Sequence, residues 1–164
     1  RGATRWWCRS RDWSAARGVV FLSAAESALG YTDLPLDAAA AEWEAGVGRT
    51  LDRLADGPRV VILSNPPVGA DPNECATRFG SPVACTSEVG ETYARKLAAE
   101  RTAADGHANT VVIDTREWFC TTECPAFIGE RVQRVDASHL TEAAAVDVAP
   151  LLATALAELL RESQ

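Results

Sequence analysis

Residues 57–67 read GPRVVILSNPP. Four consecutive apolar residues, Val60, Val61, Ile62 and Leu63, lie between a Gly-Pro pair and an Asn-Pro-Pro that ends the run. A run this short, rich in β-branched side chains and without polar alternation, is a strand buried on both faces. Two further runs share the pattern, GVVFLS at 18–23 and TVVIDT at 110–115. Between the first two, Trp43, Val47, Leu51 and Leu54 fall on one face at helical spacing, so a helix is expected over 37–55. Between the second and third, Val89, Tyr93 and Leu97 form a similar stripe over 88–104, with Thr86 or Ser87 as its N-cap. A short strand is expected around Arg131–Val135, then a last helix over Thr141–Arg161 that Pro150 should kink or restart. Strands alternating with amphipathic helices mean βαβ units: an α/β fold with a parallel sheet and helices on both faces. In such sheets ligands gather beyond the carboxyl ends of the strands, where the loops starting at Ser23, Ser64 and Thr115 lie.

The chain has 164 residues, enough for one domain with a core of its own and too few for two typical ones. No run approaches the roughly 18 apolar residues of a membrane helix. The formal net charge of -7 disfavours nucleic acid and anionic lipid as partners. There is no methionine, so the sequence is expected to be a processed or excised piece of a longer chain. The opening RGATRWWCRS has no apolar segment of the signal-peptide kind, and any targeting or membrane segment is expected upstream.

Four of the five cysteines frame loops in pairs, Cys75 with Cys85 and Cys120 with Cys124, leaving Cys8 over. Framed loops point to disulfides and an exported domain, with a partner for Cys8 upstream. Scattered reduced thiols and a zinc site are the alternatives, the latter opposed by spacings that are not C-x2-C. No metal or cofactor is expected.

The chemistry concentrates in RVDASHLTEAAA at 134–145, where Asp136 and His139 sit three apart before the last helix. Histidine is the usual general base near neutral pH, and a carboxylate on its Nδ1 fixes the tautomer and steadies the imidazolium. The competing reading is a helix capped by Asp136 or Ser138 with a surface histidine nearby. His107, in the helix-exit turn DGHAN, is expected to be solvated. Trp118 and Phe119 either wall an acyl or sugar pocket or, the preferred reading, pack beside the Cys120–Cys124 loop.

VDASHLTEAAAVDVAPLLATAL at 135–156 resembles the last sequence block of the SGNH hydrolase superfamily, D-x-x-H followed by Leu and Ser/Thr at a helix start. More narrowly, WFCTTECPAFIGERVQRVDASHLT at 118–141 resembles the carboxyl-terminal SGNH domain fused to acyltransferase family 3 membrane proteins. The loop ILSNPPVGADPNEC at 62–75 is similar to their strand-then-proline segment with a disulfide-bearing insertion. The resemblance implies a flavodoxin-like α/β/α sandwich over the whole of residues 1–164, in which Asp136 and His139 complete a triad. It further implies an extracytoplasmic domain of a membrane O-acyltransferase. That domain would take an acyl group, acetyl above all, from the membrane part and place it on a hydroxyl of a surface glycan or lipid. A secreted esterase of the same fold, and a non-catalytic glycan- or partner-binding domain, are the rival readings. The family's nucleophile is a serine in a G-D-S block. No such block occurs among Ser10, Ser14, Ser23, Ser27, Ser64, Ser81, Ser87, Ser138 and Ser163. Ser23 and Ser64 end strands on the active edge without the elbow that exposes a nucleophile, and Ser138 is expected to cap the last helix. The serine is therefore expected on a first strand upstream of Arg1.

Overall fold

The computed structural model describes residues 18–78 and 80–161. Cys8, Ser10, Ser14 and Ser163 lie outside the described residues. The three apolar runs form one parallel sheet: β1 (Val19–Leu22), β2 (Arg59–Leu63) and β4 (Thr110–Ile113), side by side in chain order. The register sets Val20 beside Val60 and Val60 beside Thr110. α1 (Leu36–Asp52) links β1 to β2, and α3 (Glu91–Asp105) links β2 to β4. Right-handed crossovers between strands added in sequence carry both helices to the same face of the sheet. There Leu51 and Leu54 meet Val60, Ile62, Ala103 and Ala104 in the main buried cluster, flanked by Val20, Leu22, Val47 and Val112. Val19 and Phe21 point the other way and remain partly exposed.

The remaining elements are small. α2 (Pro72–Cys75) and β3 (Thr86–Glu88) are tied by the Cys75–Cys85 disulfide. After β4 come α4 (Arg116–Phe119), β5 (Glu123–Pro125), β6 (Phe127–Ile128), β7 (Arg131–Val132) and α5 (Glu142–Arg161). β3 pairs antiparallel with β5, and β6 with β7 around Gly129, whose φ of 60° suits a residue without Cβ. A second disulfide joins Cys120 to Cys124, beside Phe119.

Several expectations are corrected. The second helix starts at Glu91 with Gly90 as its N-cap, because Thr86 and Ser87 are taken up by β3. α1 ends at Asp52, and residues 53–56 continue as turns that still deliver Leu54 to the core. Thr141 caps α5, its hydroxyl accepting from the Ala144 amide at 3.1 Å, so the cap belongs to neither Asp136 nor Ser138. Pro150 does not restart α5, which runs unbroken through it. His107 is not solvated: its side chain is 13% exposed, with Nδ1 3.0 Å from the Ala103 carbonyl and Nε2 3.1 Å from Asp52. It ties the end of α1 to the end of α3, at the sheet edge opposite the loops that carry the site.

Candidate active site

The sheet's carboxyl edge sets the site. Ser64 ends β2 and is buried; its Oγ accepts from the Thr115 amide at 2.9 Å and lies 3.1 Å from the Tyr93 hydroxyl. Tyr93 in turn donates to Asp114 at 2.7 Å, and burial raises its pKa above the ordinary phenol range. Ser64 is thus a buried, hydrogen-bonded strand lock. Ser23 is exposed at the end of β1, beside an apolar groove of about 530 Å³ that Phe21, Leu29 and Trp43 help to line.

Beyond Ser64 the segment 65–71 crosses the sheet edge and meets the D-x-x-H turn. The Gly69 amide donates to the Ala137 carbonyl at 2.8 Å, and Asn73 Nδ2 donates to the Val135 carbonyl at 2.8 Å. Asp71 accepts from the Asn73 amide at 2.8 Å and caps α2. The turn is closed by a bridge between Arg134 and Leu140 and by the Val135 amide donating to the His139 carbonyl.

On this turn Asp136 and His139 are paired. Nδ1 of His139 lies 2.8 Å from Oδ2 and 3.0 Å from Oδ1 of Asp136. A ring nitrogen facing a carboxylate carries the proton, so Nδ1–H donates and Nε2 faces outward. The same Oδ1 accepts from the amides of Ser138 and His139, each at 2.8 Å. Those bonds, that of the Ser138 amide first and the His139 ring next, hold the Asp136 carboxyl well below the usual carboxylate range. The imidazole is 76% exposed, open to a reacting group. Ser138 places its hydroxyl 3.3 Å from Nδ1, on the nitrogen that already serves Asp136, so it shares the carboxylate and cannot be the group that Nε2 deprotonates.

Phe119 is buried with Cys120 and Cys124, and Trp118, Val89, Leu140 and Val148 pack against that cluster. Both aromatics pack in the cluster around the Cys120–Cys124 disulfide. Sequence reasoning missed the residues that hold the turn: Gly69, Asn73 and Arg134. Only the run N-P-P-V-G hinted at a shaped loop, and nothing marked its partner.

These features define a class: an α/β sandwich presenting an Asp–His pair over the carboxyl edge of its parallel sheet. Residues 9–154 match the family described as the SGNH domain fused to AT3 domains, and the chain belongs to that family. A comparison with curated proteins gave no match. The two disulfides fit an extracellular setting. Among the described residues no helix is long and apolar enough to cross a membrane.

Proposed function

We propose that this chain is the extracytoplasmic acyl-transfer domain of a membrane O-acyltransferase. In this reading it moves an acyl group, acetyl above all, from a membrane-delivered donor to a hydroxyl of a cell-surface glycan or lipid. The observation that carries the reading is the Asp136–His139 pair, with Nδ1 bound to the carboxylate and Nε2 open. Membership of a family fused to AT3 domains supports transfer over simple hydrolysis.

In the reaction Nε2 of His139 takes the proton of a serine hydroxyl as its oxygen attacks the donor's acyl carbonyl. The tetrahedral intermediate collapses, the donor's leaving oxygen receives that proton from His139, and the acyl-serine remains. The acceptor hydroxyl then gives its proton to Nε2 while attacking the acyl-serine. Collapse of the second intermediate returns the proton to the serine and releases the new ester. Asp136 keeps the ring in the right tautomer and stabilises the imidazolium in both halves. Water in place of the acceptor gives hydrolysis as the side reaction.

We place the nucleophilic serine outside the described residues, on a parallel strand added to the free edge of β1. Two observations support this. Among the described residues β1 is an edge strand, paired on one side only, with β2. Glu26, just after β1, accepts from the Val68 amide at 3.4 Å, so the loop that holds the D-x-x-H turn passes over the end of β1. A serine ending the added strand would arrive beside that turn.

A fluorogenic acetyl ester and a soluble sugar acceptor test the reading. The full-length protein is expected to transfer acetyl, and His139→Ala to lower the rate by roughly 10³-fold or more. The present 164 residues alone are expected to give negligible turnover. Undiminished transfer by the His139→Ala protein sinks the assignment. Turnover by the 164 residues alone that vanishes in His139→Ala instead puts the serine within them.

A further inference from the structure

Arg134 is the most unusual side chain near the site. It carries a formal charge yet is 1% exposed, among the largest fully buried side chains of the molecule. Charged side chains are rarely buried so completely without a close partner. Its backbone forms one side of the bridge that closes the D-x-x-H turn, opposite Leu140. Its side chain curls under that turn: Nη1 reaches the Ala137 carbonyl at 3.5 Å, the oxygen that also receives the Gly69 amide. The Arg134 side chain packs closely against Gly69, where an added Cβ would stand 2.5 Å from Nε and 3.1 Å from Cζ. Nε has no hydrogen-bond partner among the described residues. The charge that answers it is Glu26, buried in turn, with Lys96 also in electrostatic range of that carboxylate.

We propose that Arg134 is the positioning residue of the site, and that Gly69 is glycine to admit it. The buried guanidinium fills the space under residues 135–139, holds the central carbonyl of the turn against the 65–71 segment, and so fixes the platform from which Asp136 and His139 project. Glu26, the carboxylate whose charge it feels, lies just after β1, where the incoming serine is placed above. A neutral or shorter side chain would leave the turn held by its backbone bonds, the Asp136 carboxylate and Asn73, with the space beneath it unfilled and the turn freer to rock over the sheet edge. The proposal rests on the reading of Asp136 and His139 as the catalytic pair, but its geometric part does not.

The test uses Arg134→Met, Arg134→Lys and Gly69→Ala in the full chain. Long-range 1H–15N correlation spectra, recorded where the imidazole is neutral, report the tautomer of each ring, and the sequence has only two histidines. The unaltered chain is expected to hold His139 with its proton on Nδ1. Arg134→Met and Gly69→Ala are expected to mix in the Nε2–H tautomer and Arg134→Lys to restore part of the order, with His107 unchanged as the internal control. In the transfer assay kcat should fall roughly 10- to 100-fold at constant KM, the cost of a catalytic group displaced by about 1 Å. If Arg134→Met fails to fold, Gly69→Ala decides, because it crowds the guanidinium without removing its charge. A folded variant with the His139 tautomer and kcat unchanged overturns the proposal. Absence of transfer in the unaltered protein overturns the functional reading instead, and the tautomer measurement still decides this one.

Discussion

Asp136 uses one carboxylate twice: Oδ1 gathers the two amides that form the turn, and both oxygens receive the imidazole. A capping role and pairing with the histidine are therefore not exclusive at the residue level. The acid caps its own turn and pairs with the histidine, while Thr141 caps the helix. Because the folded-state pKa of Asp136 is lowered, its ionised form contributes stability above the ordinary carboxylate value, near ~4. That contribution is lost as pH falls through the depressed value. The Asp136 carboxyl carbon is accordingly expected to keep its ionised 13C shift at pH ~3, where an ordinary Asp is mostly protonated. Asp136→Asn should flatten the acid-side decline in urea midpoint and, in the full-length protein, cost roughly 10³- to 10⁴-fold in transfer rate by releasing the tautomer. Ser64→Ala separates lock from nucleophile. It removes a hydroxyl bonded to the Thr115 amide and facing Tyr93, and is expected to cost about 1–3 kcal/mol by chemical denaturation. His139-dependent transfer should survive the change; its complete loss in a folded Ser64→Ala protein would return Ser64 to the list of nucleophiles.

At the scale of elements, the three strands and two crossover helices were legible because their signals are local: an apolar run, a stripe at helical spacing, a Gly-Pro stop. β3 was not, since Thr86–Glu88 becomes a strand only by pairing with Glu123–Pro125. That pairing joins the two disulfide-bearing loops, and the amide of Ala126 adds to it by donating to the Cys85 carbonyl at 2.7 Å. α2, held by the Cys75–Cys85 bond, carries the Asn73 amide group to Val135. Replacing Cys75 and Cys85 by serine is expected to cost about 2–3 kcal/mol, the loop-closure value for a segment of this length, measured as a fall in urea midpoint. Amide exchange at residues 135–139 should quicken in the same variant while that of β2 holds. An unchanged midpoint would mean that the loop is held without its disulfide.

Across the whole molecule, the core sits on one face of the sheet, where α1 and α3 meet β2. Leu51 is fully buried there against Val60, Ile62 and Ala103. Leu51→Ala is expected to cost about 2–5 kcal/mol by urea unfolding, since β2 and α3 enclose this side chain and leave little room for collapse. The sequence by itself determined the α/β alternation, the disulfide-framed loops and the Asp–His pair, because each is written in neighbouring residues. Only the tertiary structure decided which helices share a face, that Ser64 and His107 are held in hydrogen bonds, and what lies under the D-x-x-H turn. Arg134, Gly69 and Asn73 belong to segments roughly 60 residues apart in the chain, brought together at the end of a parallel sheet. A buried guanidinium against a glycine leaves no periodicity or spacing to read, because its meaning is a distance in space rather than in sequence.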